Sequence, residues 1–516
     1  MKPKSHSSCL SVRTVKQPIA FRFKAYWIRL CLLGFAMASL SLAERRLRAE
    51  SPLRVERPNV LMIILDDLND WVGCLEGHPH AHTPNIDRLA EEGMLFSNAH
   101  CAAPVCNASR VATLTGRRPG STGIYDNRVR WHEALPEVVT IPSYFKSQGY
   151  HVAGGGKVYH HMPGFNRPSD WHEYFDQQFD GHYQAGLRGG LDVTNFRYPS
   201  GFPLNGLANV KAMQRPPRNP REFDWGPLSK LDAETGDGKL TEWAVNFLQR
   251  KQERPFFLSV GIYRPHLPFY APQKYFDLHP LESATLPALK QDDLLDLPKV
   301  GLDFAAQRRE DFELVVRSGK HAELVRAYLA SVSFADAMVG RLLDVLRETG
   351  QQENTLVVLW SDHGWHFGEK QHLHKFTLWE RATRIPFILS VPGMPRRGEI
   401  CEQPVGMLSL FPTLGELCHL PPVEGLDGQS FANLIKNPMG KRERPALISH
   451  GKGNHALRTD RWRYIRYADG GEELYDHRTD PNEWHNVAGQ PEFLKIKEDL
   501  TRWFPVDDVN PRKKKR

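Results

Sequence analysis

Three stretches of the chain are continuously apolar, and each runs into polar residues. They are residues 59–65, ending in Asp66 and Asp67, residues 256–261, leading to Arg264, Pro265 and His266, and residues 355–360, ending in Ser361, Asp362 and His363. Such runs are typical of strands buried on both faces of a mostly parallel sheet. Ligands bind beyond the carboxyl ends of such strands, so Asp66, Asp67 and Asp362 are expected to share a site.

Between these strands the apolar positions follow a helical period. Residues 321–349 carry apolar side chains at helical spacing and end before Gly350, while residues 141–147 and 241–250 predict shorter helices. Alternating strands and helices predict an α/β sandwich around a central sheet. Beyond residue 445 a small antiparallel sheet is predicted from strand-like pieces at 446–450, 456–459, 462–467 and 473–475.

These patterns divide the chain into a catalytic domain at 52–444, a C-terminal α+β subdomain at 445–506 and a basic disordered tail at 507–516. Residues 161–232 are rich in proline, glycine and aromatics and show little periodicity. A loop region of this length is usually functional or disordered. Its aromatic side chains favour an ordered excursion facing the substrate, with surface padding as the open alternative.

The N-terminus has the pattern of a secretory signal peptide at residues 1–43. Basic residues precede a short apolar core at 30–38, and small residues follow at 39–43. We therefore expect an exported protein, periplasmic or secreted, without stable membrane insertion after cleavage. A retained N-terminal anchor is the alternative.

Composition narrows the functional class only slightly. The 516 residues carry a formal net charge of +7, part of it in the first 50 residues and in the basic tail, so we expect no nucleic-acid site. Five of the seven cysteines remain after residues 1–43, which is too few for a disulfide scaffold. One pair, such as Cys401 with Cys418, is possible in an oxidising compartment.

The chemically most informative stretch is Cys-Asn-Ala-Ser-Arg at 106–110, followed by Thr-Gly-Arg at 115–117. A small nucleophile, with an arginine one helical turn later, suits the handling of phosphate or sulfate. A buried thiol in an ordinary loop-to-helix turn is the alternative. Asp66, Asp67 and Asp362 offer hard carboxylates suited to Ca²⁺ or Mg²⁺, although two adjacent aspartates can also simply begin a turn.

The stretch at 106–117 resembles the signature of the type I sulfatases, whose cysteine is oxidised to formylglycine. The resemblance extends over about residues 57–490 and is greatest to bacterial iduronate-2-sulfatase-type members, through elements at 391–393, 426–431 and 473–476. It implies an alkaline-phosphatase-like sandwich and a bacterial source. Ala108 replaces the commoner proline, which is typical of bacteria that mature the cysteine with a radical iron–sulfur enzyme.

The resemblance also implies roles for individual residues, although each taken alone could be structural. One Ca²⁺ would be held by Asp66, Asp67, Asp362, His363 and the side chain derived from Cys106. Arg110 would hold the formylglycine, Lys157 and His266 would contact sulfate, and Lys375 would stabilise the leaving oxygen. In the implied cycle, the hydrated aldehyde attacks sulfur, and His160 then removes a proton from the second hydroxyl to expel sulfate.

The predicted function is hydrolysis of sulfate esters of a carbohydrate, with a 2-O-sulfated uronic acid as the substrate that the resemblance suggests. The predicted partners are that sulfated carbohydrate and the radical-type maturase. Two alternatives remain open. One is a phosphodiesterase or phosphonate monoester hydrolase on the same fold. The other is a non-catalytic protein that binds sulfated glycans because Cys106 is never oxidised.

Overall fold

A computed structural model of the chain describes residues 57–176, 203–207 and 223–513. The predicted signal peptide at 1–43 and the last three residues of the predicted tail lie outside these ranges. So do residues 177–202 and 208–222 of the region 161–232. The described residues belong to one compact unit, and the division at 444/445 stays a prediction. Among the described residues, no helix combines the length and apolar character needed to cross a membrane.

The strands and helices alternate along most of the chain. The strands are β1 (Asn59–Leu65), β2 (Met94–Phe96), β3 (Ala99–His100), β4 (His151–Gly156), β5 (Glu173–Phe175), β6 (Trp225–Leu228), β7 (Phe256–Ile262), β8 (Phe269–Pro272), β9 (Thr355–Ser361), β10 (His366–Phe367), β11 (Leu373–His374), β12 (Phe387–Ser390), β13 (Glu399–Cys401), β14 (Val405–Gly406), β15 (Ala446–Ser449), β16 (His455–Arg458), β17 (Trp462–Arg466) and β18 (Glu472–Asp476). The α-helices are α1 (Pro84–Glu92), α2 (Cys106–Thr115), α3 (Pro119–Thr122), α4 (Trp131–Ala134), α5 (Ile141–Ser147), α6 (Gly236–Gln249), α7 (Gln273–Asp277), α8 (Lys299–Ala306), α9 (Arg309–Arg317), α10 (His321–Glu348), α11 (Glu380–Thr383), α12 (Leu410–Leu417), α13 (Ala432–Lys436) and α14 (Leu494–Thr501).

The central sheet has eight strands in the order β13-β2-β12-β9-β1-β7-β4-β5. All neighbouring pairs are parallel except the two that involve β12, which is antiparallel to β9 and β2. In the register of the three central strands, Leu65 lies opposite both Ile262 and Ser361. The polar residues that follow β1, β7 and β9 therefore emerge at the same edge of the sheet.

Both faces of this sheet are covered, which confirms the predicted α/β sandwich. Along β1, alternate side chains such as Met62 and Ile63 enter different hydrophobic cores. One core includes residues of α2, α5 and α12, and the other includes residues of α1, α6 and α10. Burial on both faces explains why the sequence of β1 is continuously apolar rather than alternating.

A second sheet lies near the C-terminus, where the sequence predicts it. Strands β15 to β18 pair antiparallel in sequence order. Apolar side chains of this sheet, including Tyr464 and Leu474, pack with Leu500 of α14 and with Phe504. The sheet therefore has a small hydrophobic core of its own beside the two large ones.

Two sequence expectations are not met. The prediction of a disordered tail is wrong for residues 507–513, because the Asp508 carboxylate pairs with Arg118 and lies 3.1 Å from His455 Nε2. The backbone N–H groups of Val509 and Arg512 donate to the carbonyl groups of Gly120 and Gly123. The possible pairing of Cys401 with Cys418 is also absent, since all five cysteines among the described residues are free.

Candidate active site

The predicted site residues come together at the carboxyl edge of the central sheet. Cys106 is the first residue of α2, Arg110 lies one turn later, and Lys375 follows β11. The other predicted residues follow four neighbouring parallel strands: Asp66 and Asp67 after β1, Lys157 and His160 after β4, His266 after β7, and Asp362 and His363 after β9. Every one of these residues is buried.

Cys106 lies at the centre of this group and is only 1% exposed. Its Sγ is 3.1 Å from Lys375 Nζ, 3.3 Å from His363 Nε2 and 3.8 Å from Lys157 Nζ. Burial alone raises the pKa of the thiol, but the positive charges of Lys157 and Lys375, with His363, lower it well below its usual value. The surroundings of Cys106 therefore favour an anion at this position, as does the N-terminus of α2.

Arg110 connects the carboxyl ends of strands β1 and β9. Its Nε donates to Asp362 Oδ2 at 2.8 Å, and its Nη2 donates to Asp66 Oδ1 at 3.0 Å. A third nitrogen, Nη1, donates to the backbone carbonyl of Lys157. The guanidinium is completely buried, so these bonds fix its plane and with it the positions of two carboxylates.

The three carboxylates have different electrostatic surroundings. Burial raises the pKa of Asp66 and of Asp67, against the opposing effects of Lys157 on the first and Lys375 on the second. Burial also acts to raise the pKa of Asp362, but Arg110 and His363 outweigh it and hold that pKa below its usual value. Three carboxylates this close together thus retain an unfavourable energy that a further cation would relieve.

Asp67 shows most directly that the site has room for such a cation. Its Oδ1 accepts a hydrogen bond from Lys375 Nζ at 2.6 Å, whereas its buried Oδ2 has no hydrogen-bond partner and lies 3.6 Å from His266 Nε2. Possible ligand atoms of Asp66, Cys106 and Asp362 lie within 4.8 Å of one another, as do those of Asp67, Cys106 and His363. This oxygen-rich set fits a hard cation such as Ca²⁺.

The two histidines on either side of Cys106 are neutral. Burial lowers the pKa of His160 to about 4, and its Nδ1 has no hydrogen-bond partner. Burial, followed by the charges of Lys157 and Lys375, lowers the pKa of His266 well below its usual value. Lys375 is protonated, because Asp67 and the Cys106 thiolate outweigh burial and raise its pKa. The site therefore combines fixed cations with unprotonated bases.

A cavity of about 230 Å³ gives access to Cys106, His160, His266 and Lys375. Six further described residues that line the cavity had no individual role predicted from the sequence: Asn127, Phe223, Arg308, Asp311, Trp365 and Phe376. Trp365 could have been found from its position in the sequence, three residues after Asp362. His161, Met162 and Phe223, near the two ends of the 161–232 region, also line the cavity. A larger cavity of about 510 Å³ contains none of the predicted site residues.

Most of the chain is similar to known sulfatases. Residues 58–420 match the profile of the sulfatase family, and residues 368–505 match that of the N-sulphoglucosamine sulphohydrolase C-terminal region. A sulfatase of Formosa agariphila is 38% identical over 92% of this chain and 91% of its own length. The human iduronate 2-sulfatase is 32% identical over 70% of each chain.

The fold also has counterparts among solved structures. A phosphonate monoester hydrolase from Silicibacter pomeroyi superposes with a TM-score of 0.69 over 86% of this chain and 94% of its own, at 22% identity. At that identity the match shows the fold alone, which is the predicted alkaline-phosphatase-like α/β sandwich.

Proposed function

The chain belongs to the sulfatase family of sulfuric ester hydrolases, and from this premise we propose that it hydrolyses sulfate esters of a carbohydrate with a formylglycine made from Cys106. The observation that carries the proposal is the position of Cys106 at the start of α2, between Lys157 and Lys375. A formylglycine at this position would supply a hydrated aldehyde as the nucleophile. We propose that a radical iron–sulfur maturase forms it, since Ala108 replaces proline in the signature.

Lys157, Lys375 and His266 bind the sulfate group in this proposal. Both ammonium groups approach Cys106 Sγ, at 3.8 Å and 3.1 Å, and are held in place by Asp66 and Asp67. Cations fixed before the substrate arrives stabilise developing negative charge without reorganisation. Lys375, whose pKa is raised, remains protonated and offsets charge on the leaving alcohol oxygen.

His160 is the proposed base. Its pKa of about 4 leaves the imidazole neutral near pH 7, and its buried Nδ1 has no hydrogen-bond partner. It lines the same cavity as Cys106, so it is placed to take a proton from a hydroxyl at that position. Arg110 of α2 holds the carboxylates of Asp66 and Asp362 in place through its two hydrogen bonds.

The residues that would hold Ca²⁺ are Asp66, Asp67, Asp362 and His363, with the side chain at position 106. The unsatisfied Oδ2 of Asp67 and the raised pKa values of Asp66 and Asp67 support this assignment. When bound, the cation would neutralise charge on the sulfate oxygens and lower the barrier to nucleophilic attack.

A 2-O-sulfated uronic acid is the first substrate to test. The human relative of 32% identity is named iduronate 2-sulfatase, and the elements at 391–393, 426–431 and 473–476 resemble sulfatases of the iduronate-2-sulfatase type. We further propose that residues 1–43 direct export, so that the enzyme meets extracellular polysaccharide or its fragments.

The proposal is tested on protein produced together with a radical-type maturase. The peptide carrying Cys106 should lose about 18 Da relative to the thiol form, and the purified enzyme should release sulfate from a sulfated sugar. Cys106→Ala is the matched control and should fold normally but release no sulfate. An unmodified thiol in the competent host would contradict the formylglycine mechanism, and faster hydrolysis of aryl phosphonates than of aryl sulfates would contradict the sulfate assignment.

A further inference from the structure

The cavity wall beside the nucleophile carries an asparagine that the proposed chemistry does not use. Asn127 belongs to the loop between α3 and α4, is half-buried and lines the same cavity as Cys106. Its Oδ1 accepts a hydrogen bond from the backbone N–H of Asn107 at 2.9 Å. Asn107 directly follows Cys106 in α2, so the Asn127 amide lies against the residue next to the nucleophile.

This hydrogen bond fixes which way round the Asn127 amide lies. The first N–H groups of a helix have no partner within the helix, and the residue before α2 is Val105, whose side chain makes no capping hydrogen bond. The N–H of Asn107 therefore takes its acceptor from Asn127. A carboxamide accepts only through its oxygen, so Oδ1 faces α2 and Nδ2 lies on the other branch of the planar group.

The side chain of Asn107 holds the loop of Asn127 in return. Its Nδ2 donates to the backbone carbonyl groups of Asp126 at 2.8 Å and of Val129 at 3.0 Å, and Asn107 is completely buried. The Asp126 carboxylate accepts from the backbone N–H of Arg128 at 2.8 Å, which closes a turn around Asn127. The Asn127 amide is therefore held in its orientation before any ligand enters the cavity.

The Nδ2 of Asn127 is the donor that this arrangement offers to a ligand. Among the described residues it has no hydrogen-bond acceptor, and it carries two N–H groups beside the cavity. Asn127 is also the only carboxamide among the described residues that line this cavity. In the proposed reaction the charged sulfate is bound by Lys157, Lys375 and His266. A neutral donor next to them suits an uncharged oxygen of the group that carries the sulfate.

We propose that Asn127 determines specificity by donating a hydrogen bond to a hydroxyl on the sugar carbon next to the sulfate ester. This inference rests on the proposed function of the same pocket. Sugars present such a hydroxyl beside a sulfate, whereas a simple aryl sulfate has none. A substrate without it leaves the two ordered donors of Asn127 unpaired, which weakens its binding in the ground state and in the transition state alike.

The test removes each partner of this hydrogen bond in turn. The formylglycine-containing enzyme is assayed on the methyl glycoside of a 2-O-sulfated uronic acid and on its 3-deoxy analogue, and kcat/KM should be about threefold to tenfold higher for the sugar with the hydroxyl. In Asn127→Ala this ratio should fall to near one, because the two deletions remove the same hydrogen bond and their effects do not add. Loss of the contact with Asn107 would instead lower both rates by the same factor and leave the ratio unchanged.

Two controls separate this inference from the proposed function. Arg128→Gln changes the adjacent exposed residue and should leave the ratio as it is in the unsubstituted enzyme. In a Cys106→Ala background, calorimetric titration with the same two sugars measures binding without turnover, with and without Asn127→Ala.

Equal rates for the two sugars in the unsubstituted enzyme, or an unchanged ratio in Asn127→Ala, would overturn the inference even if the enzyme is active, and would leave Asn127 as a cap of α2 alone. Absence of turnover in the formylglycine enzyme, with tighter binding of the hydroxyl sugar that depends on Asn127, would instead count against the proposed reaction and support the inference.

Discussion

Two buried groups of charged residues differ in how well their charges are matched. We name the group formed by Asp66, Asp67, Asp362, Arg110, Lys157 and Lys375 around Cys106 the catalytic cluster, after its proposed role. The interface cluster comprises Glu380 of α11, Arg458 and Arg463 of β16 and β17, and His477 and Glu483, which follow β18. Both bring possible metal-ligating atoms within 4.8 Å of one another, yet only the first has the properties expected of a site that acts on a ligand.

In the interface cluster each of the two carboxylates pairs with more than one basic side chain. Arg463, with no exposed side-chain surface, pairs with Glu380 and places Nε 2.6 Å from Glu483 Oε1. Glu380 also accepts from Arg458 at 3.2 Å, and Glu483 lies 3.0 Å from His477 Nε2. The Glu380 backbone N–H donates to the other oxygen of Glu483 at 2.8 Å. This network joins the C-terminal sheet to α11.

The pKa values of Asp66 and Asp67 in the catalytic cluster shift in the opposite direction from those of Glu380 and Glu483 in the interface cluster. Burial raises the pKa of every carboxylate involved, but in the interface cluster Arg458, His477 and Arg463 outweigh it for Glu380, and Arg463 and His477 do so for Glu483. The pKa values of Asp66 and Asp67 remain raised. A matched network stabilises the fold, whereas an incompletely matched one retains affinity for a ligand.

The largest expected effect is on stability, and it tests whether the interface cluster stabilises the fold. Arg463→Met removes the cation shared by Glu380 and Glu483 and should lower the free energy of unfolding by about 3–5 kcal/mol, because two largely buried carboxylates lose the guanidinium between them. Urea denaturation measures the change. Arg478→Met is the control, because its pair with Asp460 at 3.6 Å is 64% exposed on both sides and should contribute little. Equal effects of both substitutions would remove the distinction between the interface cluster and the surface.

Added Ca²⁺ should change the free energy of unfolding by a smaller amount, and only through the catalytic cluster. After treatment with a chelator, added Ca²⁺ at about a hundred times its Kd should stabilise the protein by about 2.7 kcal/mol, or a few degrees in Tm. The physical reason is the unsatisfied carboxylate oxygen of Asp67. Asp67→Asn should abolish the shift, while Asp460→Asn, on the exposed surface, should retain it. A shift that survives in Asp67→Asn would place the cation elsewhere.

The smallest effect is the acid dependence of stability contributed by the interface cluster. The folded-state pKa values of Glu380 and Glu483 are lowered, so their contribution is present above the unfolded pKa, near 4.3, and is lost as pH falls through the folded values. Each proton taken up on unfolding adds a slope of about 1.4 kcal/mol per pH unit. The slope below pH 4.3 should be shallower in Arg463→Met than in the unsubstituted protein, as measured by urea denaturation at several pH values. Parallel slopes would show that Arg463 does not lower these pKa values.

Much of the catalytic cluster could be predicted from local sequence. The apolar runs at 59–65 and 355–360 predict two buried strands, and the parallel register then brings Asp66 and Asp362 to one edge. Cys106 and Arg110 were recognisable because they lie in one compact motif on one helical turn. Their roles in catalysis and metal binding stay predictions until the experiments above are done.

The interface cluster and the presence of Arg308 and His374 in the wall of the cavity could not be predicted in this way. Glu380 and Arg463 are separated by 83 residues, and Arg308 and His374 by 66, with no motif linking either pair. The same limitation explains why the tail was predicted to be disordered. Its lysines and arginines suggested a solvated end, but Asp508 pairs with Arg118, which lies 390 residues earlier in the chain.

The sequence by itself determined the central strands β1, β7 and β9, the long helix α10, the C-terminal sheet, the sheet edge at which the acidic residues meet and the motif that carries the nucleophile. Hydrophobic periodicity achieves this because it reports which face of each element is buried. Only the tertiary structure decided that β12 runs antiparallel, which cations neutralise which carboxylates, and that Arg308 faces the same cavity as Cys106. Those outcomes depend on which buried faces meet, and the energy of a charge depends on neighbours that local sequence does not specify.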